Sequence, residues 1–133
     1  PSAAPLDANF ADKLVLIGYQ IGPASAAGET PLTLYWQALS PMETDYTVFV
    51  HLLGPDGTSV AQFDSQPQAG RYPTRWWDTG EIIAEEHLLT LLAPANSAGY
   101  SLQIGVYALE TGQRLPLAQS DGDSIELPLV QPD

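Results

Sequence analysis

The segment from residue 70 to residue 81, GRYPTRWWDTGE, concentrates side chains that can bind a ligand. Two of the chain's four Lys and Arg residues lie beside three large aromatic residues, and the candidate ligand-binding set is Arg71, Tyr72, Arg75, Trp76, Trp77 and Asp78. Aromatic rings can stack on the apolar face of a sugar while guanidinium and carboxylate groups hydrogen-bond its hydroxyls, so this composition predicts a surface for a neutral glycan. The alternative is that Trp76 or Trp77 folds inward to close one end of the domain, with the arginines paired to carboxylates.

Other polar residues could form a catalytic or metal site only if the fold brings them together. His51, Asp64 and Asp78 would resemble a base and its orienting group, but no nucleophile can be placed with them and no G-x-S-x-G motif is present. Zinc is disfavoured because the chain has no Cys and its two histidines form no H-x-H or H-E-x-x-H unit. Asp121 and Asp123 offer oxygens to Ca²⁺, although an ordinary Asp-Gly hairpin explains them as well. We therefore expect no catalytic residue, no metal site and no cofactor.

Length and charge exclude several classes of partner. A chain of 133 residues, of which 44% are hydrophobic, is long and apolar enough to fold as one domain. Its formal net charge of −12 repels polyanions, so nucleic acid and anionic membranes are disfavoured as partners. No apolar run approaches the roughly 20 residues that span a bilayer, and we expect no membrane insertion by this segment.

The segments that must position the candidate binding residues have the residue alternation typical of β-strands. Apolar residues alternate with polar ones in TLYWQA, YTVFVHLL and SLQIGVYA, and Gly, Pro and Asp turns separate the runs. The sequence predicts an all-β, antiparallel two-sheet sandwich, immunoglobulin-like or jelly-roll-like, with seven or eight strands. Residues 1–12 are predicted to be a linker or N-terminal extension and residues 13–131 a single β-sandwich domain. The predicted core is Leu34, Trp36, Val48, Val50, Leu52, Leu102, Ile104 and Val106.

Three local features complete the predicted strand order. The turn at residues 54–57, GPDG, predicts a hairpin between YTVFVHLL and SVAQFD. The run EIIAEEHLLTLLAP suits a strand or a short helix, and its surroundings favour a strand. Glu85 and Glu86 would then point to opposite sides. The run QRLPLA is predicted to be another strand.

The order of segments along the chain resembles that of a known family. These segments are NFADKLVLIGYQI, GETPLTLYWQA, YTVFVHLLGPDG, AQFDSQP, GRYPTRWWDTGE and GYSLQIGVYALETGQRL, and with the final strand they span about residues 8–130. They resemble the extracytoplasmic β-sandwich domain at the C-terminal end of multi-span bacterial membrane proteins related to glycosyltransferases. The resemblance implies an exported accessory domain of a membrane enzyme that handles lipid-linked sugars, with the catalytic machinery elsewhere in the parent. It transfers no ligand-binding or catalytic residue.

We therefore expect a non-catalytic, extracytoplasmic binding module whose partner is a glycan or the parent membrane protein. A purely structural or protein-interaction domain is the alternative, and a free-standing hydrolase is the third choice. Solvent exposure of three aromatic rings distinguishes the first two classes. A binding module displays the rings of Tyr72, Trp76 and Trp77 to solvent, whereas a structural domain buries them. The first residue, Pro1, lies in the small-residue stretch PSAAP, and we expect the sequence to be a piece of a larger protein.

Overall fold

In the part of the chain that the structure describes, eight antiparallel strands form two four-stranded sheets. The computed structural model describes residues 4–22, 29–54, 56–65, 72–90, 100–108 and 110–128. In chain order the strands are β1 (Ala4–Phe10), β2 (Leu14–Ile21), β3 (Glu29–Ala38), β4 (Tyr46–Leu53), β5 (Ser59–Ser65), β6 (Ile82–Thr90), β7 (Ser101–Ala108) and β8 (Ile125–Pro128). The first sheet has the order β1-β2-β3-β6 and the second has the order β5-β4-β7-β8. The predicted all-β sandwich is thus confirmed. Within the described ranges, no helix is long and apolar enough to cross a membrane.

The core lies between the inner faces of the two sheets. All eight predicted core residues are at most 2% exposed. Successive side chains of a strand point to opposite faces, and in β3, β4 and β7 the alternating apolar side chains face the other sheet. A hairpin joins β4 to β5 as predicted, with Gly57 at a φ of +86° that suits glycine. Most of β4 is covered on its second face as well.

The first described residues belong to the first sheet. Residues 4–10, part of the predicted linker or N-terminal extension, pair with β2 as the edge strand of that sheet. Phe10 is fully buried, and its ring centroid lies 5.8 Å from that of Trp36. The short alternation of Leu6, Ala8 and Phe10 is what places this segment on the core, and the small residues and proline around it hide that pattern.

The run QRLPLA is also not a strand. It contributes only two isolated bridges, which join Arg114 to Tyr107 and Leu117 to Phe10. Pro116 has no N–H to donate to a ladder, and this interrupts any continuous pairing of the run. The segment nevertheless holds Arg114 against the outer face of the second sheet.

The ambiguous run after residue 81 is a strand throughout its described part. Residues 82–90 form β6, and residues 91–94 lie outside the described ranges. Glu85 is buried and Glu86 is exposed, so the prediction that they point to opposite sides is confirmed. The exposed outer face of β6 carries Ile82 and Leu88.

A carboxylate lies inside the core beside the central tryptophan. Glu85 is only 1% exposed, and its Oε1 accepts a hydrogen bond of 2.9 Å from the Trp36 indole N–H. The His87 Nε2 atom, also buried, lies 3.4 Å from the same oxygen. Buried indoles and carboxylates both need hydrogen-bond partners, and this contact supplies one to each.

The chain crosses from the second sheet back to the first between β5 and β6. Within this loop Thr74–Trp76 form a single 3₁₀ turn, and Trp77, directly after it, is extended. The Trp77 ring enters the core at one end of the sandwich and is 3% exposed, whereas Trp76 is 58% exposed. Two neighbouring indoles therefore have opposite environments.

We expect Trp36→Ala and Trp77→Ala each to lower the free energy of unfolding by about 3–5 kcal/mol, because each removes a large buried ring. Trp76→Ala is the matched control, and it should change that free energy by less than about 1 kcal/mol. Urea denaturation of the three variants measures the difference. Equal losses of unfolding free energy in Trp76→Ala and Trp77→Ala would contradict the opposite environments of the two indoles.

Candidate functional site

The 3₁₀ turn is tied to the start of β4 by one buried threonine. The Thr74 hydroxyl donates to the carbonyl of Thr44 at 2.8 Å and accepts from the amide of Tyr46 at 2.9 Å. The turn ends at Trp76 with a backbone hydrogen bond from the Trp77 amide to the Thr74 carbonyl. Because the chain changes from 3₁₀ to extended geometry there, the two indoles point in different directions.

The Trp77 indole is held by a hydrogen bond as well as by packing. Its Nε1 donates to the carbonyl of Tyr72 at 2.9 Å. A ring that is buried and anchored in this way offers no face to a ligand. Trp77 belongs to the predicted ligand-binding set, but its ring has the inward position that the alternative interpretation described.

Trp76 presents its ring to solvent next to Tyr72. The two ring centroids are 6.5 Å apart at an interplanar angle of 63°, an edge-to-face arrangement. Tyr72 is itself half-buried against the core, so it supports the Trp76 ring from one side. An exposed indole fixed at its edge is a suitable stacking platform for the flat face of a sugar.

A tyrosine–glutamate contact closes the base of this loop. The Tyr72 hydroxyl donates to the Glu81 carboxylate, with O–O distances of 2.7 and 2.8 Å, and the Asp78 amide donates to Glu81 Oε1 at 2.9 Å. The hydrogen bond to Glu81, burial and the nearby negative charges raise the pKa of Tyr72 to about 12. The amide of Asp78 and the hydroxyl of Tyr72 in turn lower the pKa of Glu81 below its usual value.

The remaining predicted residues have different positions. Arg75 is exposed, and its Nε lies 3.4 Å from Asp45 Oδ1, so the guanidinium is next to Trp76 in the chain and already near a carboxylate. Asp78 is exposed in the turn that precedes β6. Arg71 lies outside the described residues. We call Tyr72, Arg75, Trp76 and Asp78 together with Asp45 the end-loop surface.

A second candidate site lies on the outer face of the second sheet. It is a depression of about 280 Å³ lined by Phe49, His51, Gln62, Asp64, Tyr107, Gly112 and Arg114. His51 and Asp64 do approach each other, with Nε2 and Oδ1 3.9 Å apart. Asp78 does not line this depression; it contacts Glu81.

Of the residues that line this depression, the sequence analysis placed only His51 and Asp64 together. The pairing of β4 with β5 puts His51 opposite Gln62 and Phe49 opposite Asp64, but a register shift between Leu52 and Leu53 separates this pairing from the one that the turn alone would predict. Arg114 reaches the same face through an irregular segment, which carries no periodic signal.

Within the described ranges, no group of three or more His, Cys, Asp or Glu residues is arranged to hold a metal ion. Asp123, one of the two residues considered for calcium, has its Oδ1 3.4 Å from Arg114 Nη1.

The Tyr72–Glu81 contact should give stability a defined pH window. The lowered pKa of Glu81 adds stability that is present above its usual value of 4.5 and is lost as the pH falls through the lowered pKa. The raised pKa of Tyr72 adds stability that is full below its usual value of 10.0 and is lost as the pH rises through about 12. The difference in unfolding free energy between wild type and Tyr72→Phe, from urea denaturation across pH, should be largest inside this window. A difference that does not vary with pH would contradict the contact.

Comparison with known proteins supports the fold. No protein-family model matches the chain, and no curated protein matches it significantly. Two solved structures of β-glucuronidase 2 from Bacteroides uniformis share its fold, a calcium-binding mutant at a TM-score of 0.52 and the enzyme covalently bound to cyclophellitol-6-carboxylate aziridine at 0.51. Each is 16% identical, and each match covers 84% of this chain. The chain spans only 14% of the β-glucuronidase, and at this identity the likeness concerns the fold alone.

Proposed function

We propose that this domain is a non-catalytic accessory module that binds a neutral glycan through the end-loop surface. The observation that carries the proposal is the exposed Trp76 ring on a loop whose other indole is buried. The exposed Trp76 ring is held beside Tyr72, and a tryptophan ring can stack on the apolar face of a sugar. The 3₁₀ turn and the Trp77 anchor hold the ring in place before the ligand arrives, which reduces the entropy lost on binding.

Charge supports a neutral ligand in preference to an anionic one. The chain carries a net charge of −12. Arg75, the cation described in the end-loop surface, has Asp45 beside it. A guanidinium and a carboxylate side by side can donate to and accept from sugar hydroxyls, while their charges largely cancel.

The biological setting is part of the same proposal. The resemblance described for the sequence suggests an extracytoplasmic domain of a larger membrane-anchored protein that handles sugars. The β-glucuronidase structures offer a parallel in which this fold makes up a small part of a longer chain. A purely structural or protein-interaction domain is the competing function, and the exposed Ile82 and Leu88 on the outer face of β6 are the feature that favours it.

A neutral-glycan array probed with the labelled domain tests the proposal. Wild type should bind at least one glycan class, and Trp76→Ala should weaken that binding by about tenfold or more, measured by calorimetry on the retained glycan. Leu88→Ala removes another exposed apolar side chain from a different surface and is the matched control, so it should bind as wild type does. An array without binding, or equal affinity for Trp76→Ala and wild type, would favour the structural function instead.

A further inference from the structure

The depression on the outer face of the second sheet is built from four separate parts of the chain. β4 supplies its floor, β5 and β7 its two sides, and the hairpin after β7 its rim. Its volume of about 280 Å³ is close to the lower end of the range for small-molecule sites, which suits a ligand the size of one sugar ring. It does not involve the residues of the end-loop surface.

Phe49 forms a rigid floor because it lies against a glycine. Its partner across the ladder is Gly105, and a Cβ added at that glycine would overlap the Phe49 ring. The ring is buried, with His51 at 4.8 Å and Tyr107 at 6.3 Å between ring centroids. The floor supports the polar groups around it and is not itself exposed for stacking.

The hydroxyl of Tyr107 fixes the carboxylate at the side of the depression. It donates to Asp64 Oδ2 at 3.1 Å. Burial, the hydrogen bond to Asp64 and the charge of Asp64 raise the pKa of Tyr107, so the proton stays on the phenol. The second oxygen, Oδ1, is directed to His51 Nε2 at 3.9 Å, which is beyond a direct hydrogen bond.

One hydroxyl group of a ligand has the chemistry to bridge these two atoms. An oxygen can lie about 2.8 Å from both Asp64 Oδ1 and His51 Nε2, donating to the carboxylate and accepting from the imidazole. A hydroxyl both donates and accepts, whereas an ether oxygen cannot donate and an ammonium group cannot accept. The exposed amide of Gln62, opposite His51 on β5, adds a donor and an acceptor for a neighbouring hydroxyl.

The groups that line the depression favour a neutral ligand over a cationic or an anionic one. The place over the Phe49 ring where a cation would bind holds Arg114, whose guanidinium carbon is 4.4 Å from the ring centroid. The same guanidinium lies 3.4 Å from Asp123, so its charge is balanced. An anionic ligand would meet Asp64 as well as the net negative charge of the chain. A neutral ligand meets neither obstacle.

We propose that this depression is a second binding site, specific for a neutral polyhydroxylated ligand of single-sugar size, with one ligand hydroxyl held between Asp64 and His51. The site does not depend on the glycan-binding role of the end-loop surface, and either can fail without the other.

Nuclear magnetic resonance titration of the domain with neutral monosaccharides tests this site. The probes are glucose, galactose, mannose, xylose and N-acetylglucosamine at millimolar concentration, read at the Gln62 side-chain amide and the Gly112 backbone amide. At least one sugar should shift both signals saturably. Asp64→Ala should weaken this binding by about tenfold or more. Gln62→Ala, an exposed change that preserves the fold, is read at the Gly112 amide alone; it should weaken the binding measurably and tests the site even if Asp64→Ala does not fold.

Trp76→Ala is the control that separates the two sites. It should leave the sugar-induced shifts at Gln62 and Gly112 unchanged, and their loss in this variant would assign the binding to the end loop and overturn the second site. Absence of a saturable shift with any of the five sugars would also overturn it. So would saturation by tetramethylammonium or glucuronate at lower concentration than by any neutral sugar, or wild-type affinity in both site variants.

Discussion

The burial of the Trp77 indole in one end of the sandwich is the interaction on which the end-loop surface depends. The core accommodates the ring, and the Tyr72 carbonyl accepts its N–H at 2.9 Å, so both its apolar and its polar parts are satisfied. Because the 3₁₀ turn ends immediately before it, the preceding indole is directed to solvent. Exposure of Trp76 is thus a consequence of how Trp77 packs, and residues 72–77 are held by their contacts with the core.

The two candidate surfaces share one electrostatic arrangement. In each, an arginine lies 3.4 Å from an aspartate, Arg75 with Asp45 and Arg114 with Asp123. Exposed pairs of this kind add little stability. Their effect here is to remove net positive charge from surfaces that still offer donors and acceptors. The proposal of uncharged, hydroxyl-rich ligands rests on the same physical reason at both surfaces.

The sequence predicts the core well and the sites only in part. Strict alternation identifies inward residues such as Trp36 and Ile104, because the two faces of a strand differ in burial and a slip of one residue would expose them. Alternation says nothing about Trp76 and Trp77, whose directions depend on a change of backbone geometry inside a loop. It also misses Glu85, a charged residue in an inward position whose indole partner comes from another strand. Arg114 meets Phe49 only through tertiary structure.

Glycan binding at the end-loop surface is tested most directly by an amide and indole nuclear magnetic resonance titration with pooled neutral oligosaccharides. The chain's three tryptophans give three indole N–H signals. We expect the indole N–H signal of Trp76 to shift saturably. The signals of Trp36, bonded to Glu85, and Trp77, bonded to the Tyr72 carbonyl, should stay in place. A titration that leaves Trp76 unchanged, or one that shifts Trp77 as strongly as Trp76, would contradict binding at a loop fixed by its buried indole.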